Sequence, residues 1–247
     1  MELNGAKILY TIHTDIPLLG DFKITQTLVM TWIVMALLTG LSLWLTHDLR
    51  LENVSKKQAA AEFIVERLDQ FVHDNMGLHF NQYIPLVGAI FALSVVCNLI
   101  SVLGFWSPTA DLNTELAWAV VVFVLITYHK IKSSGILGYL RGYLDPIFLM
   151  APINVLSEIA TPVSMAFRHF GNILSGTVIS ALLYWALASL SHVIFDWMPG
   201  FLSQLQLFQI GIPAITSLYF DWFGGCIQAF IFCTLTTIFI KRAAGEE

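Results

Sequence analysis

Apolar residues in this chain come in long uncharged runs, separated by short clusters of charge. Thr27 to Leu45 carries no charged group and has the length a membrane helix needs, about 20 residues. His47, Asp48 and Arg50 stop it. Over 58–74 the pattern changes. Phe63, Ile64, Leu68, Phe71 and Val72 recur at helical spacing, and Glu62, Glu66, Arg67 and Asp69 fill the other face. That spacing predicts an amphipathic helix lying on a membrane surface, and a helix packed on a partner fits nearly as well. Residues 80–106 are uncharged again and long enough to span with tilt. In the loop that follows, Asp111 or Asn113 can cap the next helix, and Glu115 suits its first turn. That helix is predicted over 113–129, ended by His129, Lys130 and Lys132. Residues 133–145, with Gly135, Gly138 and Gly142, read as an interfacial linker. Two long segments close the chain, 146–197 and 201–240, about a turn near Pro199-Gly200. Residues 1–24 are mixed and polar, an arm outside the membrane.

Composition supports this pattern. Of 247 residues, 57% are apolar and 12% charged, against roughly 25% charged in soluble domains. The reading is an all-α polytopic membrane protein forming a single membrane domain. Nothing suggests a soluble catalytic domain, a phosphate-binding loop, a cofactor site or a nucleic-acid patch. Cys97, Cys226 and Cys233 lie in apolar runs without ligand spacing and read as packing residues. The N-terminus lacks the basic region and cleavage site of a signal peptide, so the first apolar run is expected to stay. Lys and Arg gather in the 50–67 and 130–141 loops and at Lys241-Arg242. The positive-inside rule then puts the C-terminus in the cytoplasm and the N-terminus outside.

One residue breaks the pattern. Arg168 sits deep in an apolar run whose nearest acids are Glu158 and Asp196. A guanidinium keeps its charge at any ordinary pH, and an intramembrane charge costs at least about 2.5–3.5 kcal/mol. Residues equally far from a hairpin turn should face each other. A midpoint at residue 198 sets Arg168 level with Gln228, and one at 199 sets Thr177 level with Asp221. Arg168 is 30 residues before residue 198, roughly 45 Å along a helix, whereas half an apolar bilayer core is only about 15 Å. The helices must therefore be steeply tilted or broken. Ser157, Thr161, Ser164, Arg168, Asn172 and Ser175 share one helix face. Pro213, Ser217, Asp221, Gly224 or Gly225, and Gln228 make a second stripe.

Other readings compete at this point. Asp221 can neutralise Arg168 and merely fix the packing. His169, about 100° off the stripe, reads as bland. Asn98, His129 and His192 read as helix–helix or interfacial groups. Glu158, roughly 15 Å from Arg168 along the axis, needs water or a partner.

The last hundred residues resemble subunit a of the F-type ATP synthase membrane sector. The resemblance rests on Pro152-Ile-Asn154 followed by Pro162-Val-Ser164, on Arg168-His-Phe-Gly171-Asn172 with Gly176, and on Gln228-Ala-Phe-Ile-Phe232. Asn98 and Pro108-Thr-Ala-Asp111-Leu-Asn113 add weaker support. It implies one N-terminal span, a surface helix, two spans and a long, strongly tilted two-helix hairpin lying across a rotating c-ring. It also implies ion translocation, by preference of protons, through two offset half-channels by a subunit without catalysis of its own. Arg168 would face the ring's carboxylates with Gln228 beside it. Asn172 and Ser164 would line the path near it, Glu158 would mark the cytoplasmic half-channel, and Asp221 the outer one. Family members often carry an acid nine residues after the arginine, where this chain has Thr177. Asp221 alone is then expected to serve as the outer relay. Implied partners are the c-ring, the subunit b peripheral stalk and lipid, in a bacterial inner membrane or alternatively a thylakoid. A stand-alone secondary transporter with Arg168 as an anion site is the competing function; internal inverted repeats would favour it, and none is visible.

Overall fold

The computed structural model describes residues 5–13, 21–145, 147–195, 215–216 and 218–245, apart from the side chains of Phe22, Phe195 and Asp221. The elements are β1 (Ile8–Ile12), β2 (Phe22–Thr25), α1 (Gln26–Thr46), α2 (Lys56–Met76), α3 (Ile84–Val102), α4 (Leu112–Gly142), α5 (Ala151–Phe195) and α6 (Gly225–Ala243). Among the described residues, five helical stretches are long and apolar enough to cross a membrane: Gln26–Thr46, Leu78–Val102, Leu112–Gly142, Phe148–Ile194 and Leu218–Ala243. The expected all-α membrane architecture is therefore present. Within the N-terminal arm, β1 and β2 add a small antiparallel pair, with Ile12 opposite Phe22.

Local signals explain the helix starts. The Thr25 hydroxyl accepts from Leu28 N at the head of α1, Ser55 does the same from Gln58 N for α2, and Asp111 from Asn113 N for α4. Each satisfies an amide that the first turn leaves free. Gly77 ends α2 at φ 94°, a backbone state glycine adopts without penalty.

The core lies between α2, α3, α4, α5 and α6, where Met76, Val87, Val122, Met165, Phe232 and Ile240 meet. The α2 helix is not wholly a surface element. Its C-terminal half buries Val72 and Met76 in this core, whereas Phe63 and Ile64 stay exposed. The α1 helix stands aside, burying only Thr27 and Val34, with Val34 against Cys97 and Ile100 of α3.

One boundary differs from the expectation. The helix predicted over 113–129 runs on to Gly142, so 133–145 is mostly helix and not a linker. It kinks at Gly135, with φ 71° and ψ 166°. Beyond the kink Tyr139 and Tyr143 bond to Glu158 of α5, contacts that offset the poor helix propensity of three glycines. The first hairpin arm is a single helix of 45 residues, roughly 68 Å long. It cannot stand upright in an apolar layer about 30 Å thick. The second arm begins, in its described part, with a π-helical turn, Leu218–Gly224, that leads into α6. The turn near 198–200, Pro213 and Ser217 lie outside the described residues.

Candidate functional site

Arg168 stands on the outward face of α5 and is exposed, with Ser164 and Ser175 on the same face and exposed Val163 and Phe167 beside it. Among the described side chains it makes no ion pair. Asp221 lies in the π-helical turn, and its side chain is outside the description.

The hairpin register can be read from glycine contacts. A Cβ on Gly224 would sit 3.2 Å from Asn172 Nδ2. Asn172 and Gly224 are equidistant from residue 198, the midpoint that also pairs Arg168 with Gln228. The next residue is tighter still, because a Cβ on Gly225 would lie 2.7 Å from Asn98 Nδ2. The two glycines thus let α6 close onto Asn172 of α5 and Asn98 of α3. Gln228, one turn further on, is 7% exposed. Buried polar atoms normally find partners, yet the amide nitrogens of Asn98 and Asn172 have none among the described groups.

Thr177 donates to the Ile173 carbonyl of its own helix at 2.9 Å. Asn98 accepts from Thr109 Oγ1 at 3.0 Å, and Thr109 meets Ser107 at 2.7 Å. This buried polar seam leads from the 107–111 turn into the bundle. Asp111 caps α4 at its start, accepting from Asn113 N at 3.0 Å. The structure thus gathers Asn172, Asn98 and Gln228 around the two glycines. Asp111 does helix-capping work at one end of the bundle, and Glu158 belongs to a separate cluster.

That cluster was only half visible in the sequence. Glu158 takes Lys130 Nζ at 2.9 Å and Tyr139 OH at 3.2 Å, and Tyr143 OH donates to its other oxygen. Asn154 holds the turn below by donating to the carbonyls of Tyr143 and Asp145 at 2.9 and 3.0 Å. Burial and the adjacent Glu158 carboxylate push the Tyr143 hydroxyl up, so it stays protonated and keeps donating. The four polar groups border a cavity of about 420 Å³, and a second of about 370 Å³ shares Lys130, Ser134, Glu158 and Thr161 and reaches Arg242. Glu158 has the partner its place in an apolar run required.

His169 is not the bland residue its azimuth suggested. Pointing about 100° away from Arg168 turns it into the bundle, where it is wholly buried. Its Nδ1 lies 2.8 Å from Glu115 Oε2, also wholly buried, though out of line for a hydrogen bond. Its Nε2 meets Ser94 Oγ at 3.2 Å. The available signal was an acid one turn inside an apolar span, at Glu115.

Residues 28–241 match the family model described as ATP synthase A chain. The chain is 34% identical over 227 residues to "ATP synthase subunit a 1" of Crocosphaera subtropica, covering 91% of this chain and 89% of that one. It is 34% identical over 224 residues to "ATP synthase subunit a" of Desulforamulus reducens, covering 90% and 80%. It is 31% identical over 241 residues to "ATP synthase subunit a, sodium ion specific" of Propionigenium modestum, covering 91% and 76%. With the polytopic fold, this match places the chain in the ATP synthase subunit a family, the ion-translocating membrane-sector subunit.

Proposed function

We propose that the chain carries ions, read here as protons, through two offset half-channels at the face of a rotating c-ring. The observation that carries this reading is the exposed guanidinium of Arg168 on the long apolar helix α5. A charge so placed needs a counter-charge, none is paired with it among the described side chains, and a ring of membrane carboxylates supplies one at a time. A carboxylate passing a fixed cation loses its proton, because the cation lowers its pKa. The same cation bars ions from slipping directly between the half-channels.

The cavities around Glu158 form the cytoplasmic path, with Ser157 and Thr161 on its wall. Asn172, Gln228, Asn98 and Asp221 line the outer approach, and Thr177 and Asp111 border it. The ion-binding site belongs to the ring, so a sodium-coupled complex would use the same surface. The chain performs no chemistry itself. It binds the c-ring, the subunit b stalk and lipid in a bacterial inner membrane, with its C-terminus in the cytoplasm.

Disulfide trapping tests the geometry. In the assembled complex, Ser164→Cys should cross-link to a cysteine placed beside the ring carboxylate. Failure to cross-link in a fully assembled complex would refute the placement.

A further inference from the structure

The face of α5 opposite Arg168 is the inner one, formed near it by Pro162, Met165, Ala166, His169 and Gly176. Four of these five are apolar or small and offer little grip against rotation. His169 is the exception, since it touches three other helices at once. Glu115 of α4 is 2.8 Å from Nδ1, Ser94 of α3 is 3.2 Å from Nε2, and the Phe232 ring of α6 lies 6.2 Å away, centroid to centroid. Trp118, one turn along α4 from Glu115, packs against the same imidazole at 6.2 Å.

We propose that Glu115 and His169 form a buried pin that fixes the azimuth of α5 and so aims Arg168 at its partner. Burying an acid–imidazole pair is expensive in desolvation, and such a pair adds little net stability over an apolar one. The best-attested return on that cost is register, because a polar pair accepts one alignment where apolar surfaces accept several. Register is what α5 requires. It is 45 residues long, only 11% of its most apolar window is buried, and a moving ring would drag on its outer face. Pin and guanidinium sit on consecutive residues, so any rotation at His169 passes directly to Arg168. Glu115 and His169 are positioning residues in this account and carry no ion.

The inference rests on the reading that Arg168 faces the ring, and the trapping experiment separates the two. Single cysteines replace Ser164 on the outer face or Met165 on the inner face of the assembled complex, and each is oxidised against the ring cysteine. With native Glu115 and His169, only Ser164→Cys should cross-link; if it does not, the reading of Arg168 falls. Glu115→Leu should then raise the Met165→Cys yield relative to Ser164→Cys by roughly threefold or more, the mark of a turned helix face. Coupled ATP synthesis should fall in step. Glu115→Gln should keep both near their native values, because an amide fills the same space and keeps a polar group against the imidazole but cannot carry a proton. His169→Leu is the second variant and should behave like Glu115→Leu. Unchanged cross-linking in both leucine variants would overturn the pin. So would Glu115→Gln that loses synthesis with the cross-link pattern intact, which would make Glu115 a proton carrier.

Discussion

Arg168 and His169 are adjacent and do opposite things. One points out of the bundle, exposed, and the other points in, wholly buried. Helical periodicity made the first legible, because an arginine amid apolar residues has few places to go. It also gave the inward direction of His169 but not its partner, since Glu115 lies 54 positions earlier and only tertiary packing joins them. Glu158 was flagged as needing a partner, yet Lys130, Tyr139 and Tyr143 come from beyond an expected helix end. Neutralising that carboxylate should hinder ions on the proposed cytoplasmic path. Glu158→Gln is expected to slow ATP synthesis by roughly tenfold, about 1.4 kcal/mol on the barrier. The rate should be read as ATP synthesis under an imposed ion gradient. Asp221→Asn tests the outer acid in the same assay: loss of synthesis supports Asp221 as the relay, and near-normal rates would remove it from the path.

At the scale of elements, the spans followed from the lengths of the uncharged runs, and the hairpin register followed from counting back from a turn. Asn172 against Gly224 realises that register. The exit of α4 was not legible, because glycine-rich sequence argues for a linker while the contacts to Glu158 hold a helix. Gly135 is the joint, with φ 71° and ψ 166°, a region reserved almost wholly for glycine. Gly135→Ala should cost about 1–3 kcal/mol and displace Tyr139 and Tyr143, which a lower melting temperature of the purified complex would report. Gly225 is limited by space instead of dihedral angle. An added Cβ would meet Asn98 Nδ2 at 2.7 Å, so Gly225→Ala should push α6 from α3. Overpacking of this kind typically costs about 1–3 kcal/mol, and here it should lower coupled transport as well as stability.

For the whole molecule, the outer face of α5 is where the chain leaves its business unfinished. The inner faces of α2 to α6 close on one core, and the Glu158 cluster satisfies its own charges. Among the described charged side chains of α5, Arg168 stands without an ion pair on an exposed face of a helix too long to sit upright in a bilayer, and the function proposed above gives that face a rotating neighbour. The most direct measurement is therefore made with Arg168→Ala, in vesicles holding the assembled complex at native amounts. The account predicts that gradient-driven ATP synthesis and ATP-driven ion pumping both fall to background, with passive leak permitted. Retained ATP-driven pumping in that variant would contradict it.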